Sequence, residues 1–400
     1  MKEGLLTKKI EDFCDIKGGF AFKSTNYVED NGIRIIRIAN VQNGYISDEA
    51  PQYYPYSSQS DLEGYLLKEN DILISLTGNV GRVGLMPASL LPSYLNQRVL
   101  CLRTEKYPEV NARYLYYLLN TSDFKTDCIA SSHGAAQLNL SPKFIQSYKI
   151  ALPSLSEQKR IVSILNEAFV KIDALKANAE KKSQNAQVLF QRVLTTEFEA
   201  KADWNTKKLG ELGECKNGIN FAKNESGNII HLLGVGDFGN KFSISNTDEL
   251  STISLNEMPS EDYLLQNEDV VFVRSNGNKQ LVGRSLIVYP NTPTTFSGFC
   301  IRFRKNTDII DVPYLVSFLK TEYIRKRLLG NGTNISNLNQ KMLQELVVPF
   351  PPIDIQKRIV EKLHILSNKL ERLVEISKQT ISECDAFKQA ILHQAFKGEL

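Results

Sequence analysis

The sequence predicts an α+β chain of two tandem mixed α/β modules, each followed by a long helix, and three observations predict it. The run from Ser154 to Phe198 contains neither Gly nor Pro. Its seam residues recur at alternating steps of four and three, the a/d spacing of a coiled coil. The chain is also written twice: Gln158-Lys159-Arg160-Ile161-Val162 recurs as Gln356-Lys357-Arg358-Ile359-Val360, a shift of 198 residues. Finally, strand-sized apolar runs follow in the same order in both halves.

The first seam runs through Ile161, Leu165, Ala168, Ile172, Leu175, Ala179, Lys182, Ala186, Leu189, Val193 and Thr196, with Lys182 and Thr196 as its polar members. A helix of about 40 residues is about 60 Å long and cannot bury such a seam alone. Adding the shift gives Ile359, Leu363, Leu366, Leu370, Leu373, Ser377, Thr380, Cys384, Phe387, Ile391 and Gln394. The two helices are therefore expected to pair with each other. The alternative, two amphipathic helices lying on separate modules, accounts less well for a phase held over ten positions. Both helices follow prolines, Pro153 in one case and Pro349, Pro351 and Pro352 in the other. Ser156 and Asp354 are equivalent residues of N-cap type, and Ser154 with Glu157 suits a capping box in the first copy.

The shift of 198 also carries Gln191 to Gln389, Phe198 to Phe396, Leu66-Leu67 to Leu264-Leu265 and Asp71 to Asp269. Lys8-Lys9-Ile10 matches Lys207-Lys208-Leu209 at 199, and Tyr114-Leu115 matches Tyr314-Leu315 at 200, drifts that loop insertions produce. The period is too long for a solenoid repeat. In the first module Arg34–Ile38, Asp71–Leu76 and Val99–Leu102 read as strands and Tyr114–Leu119 as a short buried helix. In the second, Ile229–Leu233, Asp269–Val273, Phe299–Phe303 and Tyr314–Leu319 repeat that order. The expected divisions are residues 1–153, 154–203, 204–351 and 352–400. Trp204, the sole tryptophan, is read as a core or boundary residue opening the second module.

Composition narrows the class of protein. With 42% hydrophobic and 23% charged residues, the 400-residue chain reads as ordinary globular material with enough length for two cores. A net charge of +3 permits a nucleic-acid partner without demanding one. No stretch approaches the ~18 apolar residues of a membrane span, and Met1–Ile10 lacks the apolar centre of a signal peptide. The six cysteines are scattered, without a CxxC pair, and the four histidines form no HExxH or Cys/His cluster. No disulfide framework and no metal site is expected, and a reducing cytoplasm fits.

No phosphate loop, dinucleotide fingerprint or nucleophile elbow is present. Scaffold positions match between the copies while loop polar residues differ, the pattern of two reading heads with different specificities. Arg and Lys read guanine, Asn and Gln read adenine, and Ser and Thr read less selectively. The expected DNA contacts of the first module are Lys17, Phe20 and Lys23, then Thr77, Asn79 and Arg82, then Gln97, Arg98, His133, Gln137 and Asn139. Those of the second are Lys216, Asn217 and Asn220, then Arg274, Ser275, Asn276, Asn278, Lys279 and Arg284, then Thr333, Asn334 and Asn337. A solvated turn explains any one of these clusters alone. Their recurrence at matching places favours the reading function.

The residues taken together resemble the specificity subunits of type I restriction-modification systems. The resemblance rests on the helix start Leu152-Pro153-Ser154-Leu155-Ser156-Glu157-Gln158-Lys159-Arg160-Ile161 and its second copy Pro351-Pro352-Ile353-Asp354-Ile355-Gln356-Lys357-Arg358-Ile359. It rests also on the ending Ile391–Leu400 and on the strand-loop segments Asp71–Gly78 and Asp269–Asn278, and it covers essentially the whole chain. It implies two target-recognition domains, each reading one half of a split, asymmetric site on double-stranded DNA. It further implies an antiparallel coiled coil acting as spacer, two docked methyltransferase subunits and restriction subunits in the full complex. S-adenosylmethionine and ATP would belong to those partners, with no cofactor in this chain. The family's strand motif appears as Arg37-Ile38-Ala39-Asn40-Val41, adding Arg37 and Asn40 to the expected contacts, whereas the second copy reads Gly234-Val235-Gly236-Asp237-Phe238. Glu157 becomes Ile355 in the second copy, which makes that carboxylate a helix-start feature. The competing readings are a coiled-coil scaffold that binds only proteins and a DNA-modifying enzyme with an unrecognised active site.

Overall fold

Each module is closed where its long helix begins. In the computed structural model, which describes residues 7–56, 59–134, 136–199, 204–222, 224–239, 241–329 and 337–399, Thr7–Lys9 pairs antiparallel with Lys149–Ala151. Asn205–Lys208 pairs in the same way with Val347–Phe350. The long helices Leu155–Glu197 and Ile353–Lys397 follow directly. The chain divides into two compact units, one of Met1–Ala179 with Lys378–Leu400 and one of Glu180–Ser377, so each unit holds parts of both long helices.

In the first unit an antiparallel sheet runs in the order Asp15–Gly18, Val99–Arg103, Ile72–Ser75, Val83–Leu85. A second sheet places Gly32–Ile36 between Tyr53–Pro55 and Ser93–Leu95. The second unit repeats the first of these with Gly213–Asn217, Cys300–Lys305, Asp269–Val273 and Ser285–Val288, and adds Ser243–Ile244 in parallel. Its three-stranded sheet is Thr252–Leu255, Asn228–Leu233 and Thr294–Phe296. The strand expected to reach Ile38 stops at Ile36, because the Arg37 amide donates to Asn40 Oδ1 (3.0 Å) and turns the chain.

Two polar devices hold each module. Arg103 makes a two-pronged ion pair with Asp71 (2.7 and 2.6 Å) while donating to the Leu66 carbonyl. Arg304 does the same with Asp269 (2.8 and 2.7 Å) and the Leu264 carbonyl. The glutamine of the repeated Gln-Lys-Arg-Ile motif is the other device. Gln158 is fully buried, accepts from the Asn111 amide (2.8 Å) and donates to the Glu109 and Pro153 carbonyls. Gln356 binds the Asp311 amide (2.9 Å) and the Ile309 and Pro351 carbonyls identically. Each glutamine thus ties a helix start to the loop leading into the short helix Ala112–Leu119 or Val312–Leu319.

The helices pair antiparallel in both units. In the first, the start of Leu155–Glu197 meets the end of Ile353–Lys397: Ile161, Val162 and Leu165 pack with Leu392 and Ala395, and Lys176 pairs with Asp385 (2.6 Å). In the second, Leu194 and Phe198 share a core with Ile359 and Leu363, and Lys362 pairs with Glu197. Tyr114 is edge-on to Phe396 (5.3 Å) in one unit, and Tyr314 packs on Phe198 (5.1 Å) in the other. Trp204 lies against the core of the second unit.

The seam keeps phase at Ile161, Leu165, Ile172, Ile359 and Leu363, which are buried, and at Val193, Leu366, Leu370, Leu373 and Ile391, which are half-buried. It fails at Leu175, Leu189 and Phe387, which are 56%, 62% and 58% exposed. After Ile172 the less exposed positions are Lys176, Ala179, Ser183, Ala186 and Phe190: Ala179 and Ala186 keep the predicted seam, while its alternate positions move by one residue, from Leu175, Lys182 and Leu189 to Lys176, Ser183 and Phe190. The helix starts also differ from expectation. With Leu155 and Ile353 as first residues, Ser156 and Asp354 lie inside the first turn. Ser154 Oγ accepts the Glu157 amide (3.4 Å), while Asp354 pairs with Arg358 (3.2 Å).

Candidate nucleic-acid interface

The strand ends bring the predicted loops of the first module together. Gly18 lies opposite Leu100, and Ser75 opposite Val99, so the segments after Gly18, after Ser75 and before Val99 share one end of the sheet. The Phe20 amide donates to the Leu95 carbonyl (2.9 Å) and the Gln97 amide to the Phe20 carbonyl (2.9 Å). This approach requires Gly19, since a Cβ there would stand 2.2 Å from the Asn96 backbone. The loop carrying His133, Gln137 and Asn139 joins through the Gly78 amide to the Leu138 carbonyl (2.8 Å) and reciprocal His133–Asn139 bonds (3.0 and 2.8 Å). Lys23, Asn79, Gln97, Arg98, His133, Gln137 and Asn139 are exposed on these loops. Lys17 and Phe20 are half-buried beside them.

The second module builds the same end from different residues. The Ile219 amide donates to the Phe296 carbonyl (2.9 Å) and the Gly298 amide to the Ile219 carbonyl (2.7 Å). Gly218 is the counterpart of Gly19, with a Cβ position 2.2 Å from the Ser297 carbonyl oxygen. Ser275 bridges to Asn337, and the Leu338 amide donates to the Arg274 carbonyl (2.8 Å). Asn276 and Asn278 cap successive amides of their own loop, those of Asn278 (2.8 Å) and Gln280 (3.0 Å). Asn220, Asn278, Lys279 and Asn337 are exposed; Asn217, Ser275 and Asn276 are partly so. Thr333 and Asn334 lie outside the described residues.

Several expected contacts have other employment. Asn40 is 3% exposed and donates to the Ser47 and Glu49 carbonyls, so it shapes a turn. Asp237 holds the equivalent turn by accepting the Gly234 amide (2.8 Å), which explains why that polar position persists where the arginine does not. Arg37 donates to the Ala50 carbonyl (2.8 Å). Thr77 is 8% exposed, inside the bridge to Asn139. Arg82 binds Gln42 Oε1 (3.0 Å), and Arg274 binds the Gly298 carbonyl (3.2 Å). Lys216 pairs with Asp262 (2.9 Å) over the Tyr263 ring, and its ammonium holds the Asp262 carboxyl below the usual range. Arg284 donates to the Gly239 carbonyl and lines a cavity beside the helices.

Sequence reasoning missed Phe299. It is 60% exposed, and its carbonyl accepts the Arg274 amide (2.8 Å) and the Ser275 amide (3.3 Å), which sets it within the reading loops. Counted back from the paired Arg103 and Arg304, it occupies the place of Arg98. Aligning Asn96-Gln97-Arg98 with Ser297-Gly298-Phe299 is the signal that finds it. An exposed ring there suits stacking or contact with a thymine methyl.

Among the described residues no group of His, Cys, Asp and Glu is arranged to hold a metal, and no helix is long and apolar enough to cross a membrane. Twinned mixed modules with a polar, cation-bearing loop face on each define a bipartite reader of nucleic acid. The family model described as the type I restriction modification DNA specificity domain matches twice, over residues 2–183 and 201–382. The chain belongs to this family as a specificity subunit, the non-catalytic, DNA-recognising component of a type I restriction-modification system. It is 25% identical over 425 residues to the StySPI specificity subunit of Salmonella potsdam, covering 100% of this chain and 90% of that protein. To the EcoKI specificity subunit of Escherichia coli K12 it is 23% identical over 431 residues, with 100% and 90% covered. Its fold is similar to a chain from a structure of type I restriction-modification assembly and conformational transition, with TM-score 0.76, 18% identity and 100% and 99% coverage. It is also similar to the HsdS subunit of Thermoanaerobacter tengcongensis, with TM-score 0.56, 18% identity and 100% and 98% coverage.

Proposed function

We propose that the two loop faces read the two halves of one split, asymmetric site on double-stranded DNA. The observation that carries this reading is the same sheet end presented twice with different exposed side chains, Arg98 in one module and Phe299 in the other. In the first half-site the contacts fall to Lys23, Asn79, Gln97, Arg98, His133, Gln137 and Asn139. In the second they fall to Asn220, Ser275, Asn276, Asn278, Lys279, Phe299 and Asn337. Cationic side chains add affinity that is blind to sequence and weakened by salt.

The paired helices set the spacing between the half-sites and dock two methyltransferase subunits, to which restriction subunits add in the full complex. S-adenosylmethionine and ATP are bound by those partners, and the assembly works in the cytoplasm. The assay is binding of split-site duplexes by the purified chain with and without its methyltransferase partner. Sequence preference that follows both half-sites supports the reading, and its absence in both states contradicts it. Removing one heptad from both helices should change the preferred spacer while leaving both half-site sequences intact. An unchanged spacer in a methylation-protection assay would sink the spacing role.

A further inference from the structure

At one place beside the long helices the two units differ in side-chain bulk. In the first, Tyr117 of the short helix donates through its hydroxyl to Asn166 Oδ1 (2.6 Å) and meets the Phe169 ring edge-on (5.4 Å), both on the first long helix. The repeat places Ser317 and Ser367 at those two positions in the second unit. A cavity of about 1030 Å³ opens there, lined by Ser317, Ser367, Lys320, Arg325, Arg284 and the second helix's His364 among others. A pocket of that size admits a nucleotide-sized ligand.

Two of its cations, Lys320 and Arg325, donate to neutral carbonyls. Lys320 Nζ donates to the Lys241 carbonyl (2.9 Å) and lies 5.8 Å from the Phe242 ring centre. Arg325 donates to the Val282 (3.1 Å) and Gln280 (2.8 Å) carbonyls. Burial, with the charges of Arg325 and Arg284 adding to it, pushes the Lys320 ammonium down to about 8. Glu371, on the second long helix, is the carboxylate that lines the cavity, and Lys241 adds a further cation. The corresponding cation positions of the first unit are Arg82, Asn120 and Lys125. An asymmetric pocket with clustered cations is stabilised by an anion with several acceptor oxygens.

We propose that the cavity lined by Lys320, Arg325 and Arg284 binds a phosphate group, from a free polyphosphate or nucleotide or from the DNA backbone. Only the backbone source rests on the DNA-reading function. The test uses the purified full chain, with inorganic tripolyphosphate, ATP and a random-sequence duplex as probes in separate calorimetric titrations. Three variants are compared: Lys320→Met, the cavity-filling pair Ser317→Tyr with Ser367→Phe, and Lys326→Met as a control on an exposed, Glu322-paired lysine. The expected result is a loss of about tenfold or more in affinity for Lys320→Met and the filled variant, and none for the control. Loss confined to tripolyphosphate or ATP assigns a free ligand. Loss confined to the duplex, with a salt slope lower by about one, assigns a backbone phosphate. Unchanged binding of all three probes in both site variants overturns the proposal, and the melting temperature of the filled variant reports whether it folds. Half-site methylation mapped in parallel separates failure here from failure of the reading function.

Discussion

The two modules share a frame and differ on the loop face and beside the long helices. Asp71–Arg103 and Asp269–Arg304 are the same ion pair, and Gln158 and Gln356 make the same three bonds. Gly19 and Gly218 allow the same close approach of loops. Against that constancy stand Arg98 and Phe299 on the reading face, and Tyr117 with Phe169 against Ser317 with Ser367 beside the helices. Groups with buried partners are fixed because removing one leaves another unsatisfied. Groups facing solvent or ligand are free to diverge, so the differences mark function more sharply than the similarities do.

The comparison breaks most severely at the ion pairs. Asp71→Ala and Asp269→Ala strand a largely buried guanidinium and are expected to cost about 3–5 kcal/mol each. The cost should be larger for Asp71, because Arg103 is 10% exposed and Arg304 24%. Denaturant titration measures both: negligible losses would show that the pairs do not hold the frame, and equal losses that exposure does not set their cost. Gln158→Ala and Gln356→Ala come next, at about 1–3 kcal/mol, through the orphaned Asn111 or Asp311 amide and the two carbonyls in each case. Helix starts that stay protected in hydrogen exchange would contradict the clamp.

A smaller, pH-dependent difference belongs to the second unit alone. Lys320 has a pKa of about 8 in the fold and an ordinary value when unfolded, so its protonation opposes folding below pH 8. The penalty fades as pH rises from about 8 past about 10. Lys241, Arg284, Arg325, His364 and Glu371 face the same cavity. Lys320→Met should therefore raise the melting temperature at pH 7, with the gain shrinking by pH 10. A gain independent of pH would mean that packing, and not charge, is responsible.

The fold was largely legible because duplication doubles every signal. One copy of Gln-Lys-Arg-Ile is a helix surface, while two copies one module apart expose an architecture. The seam was legible where both helices bury it and misleading at Leu175, Leu189 and Phe387, since the period does not say which of two neighbouring residues the partner covers. The site was less legible, for a different reason. Asn40 and Thr77 have base-reading chemistry, yet backbone groups several residues away use Asn40 and a bridge encloses Thr77. Phe299 escaped because it reads as the first residue of a strand Phe299–Phe303, whereas the strand begins at Cys300 and leaves Phe299 exposed on the loop.

The most direct test of two faces reading two half-sites is single-molecule mapping of methylated bases in cells expressing the complete system. Wild type would be compared with Arg98→Ala and Phe299→Ala. Both side chains are exposed, so stability should change by no more than about 0.5 kcal/mol. The account predicts that each substitution relaxes the sequence of one half-site, a different one for each, with the other half and the spacer unchanged. Relaxation of both halves by either substitution, or an unaltered motif in both variants, would contradict it.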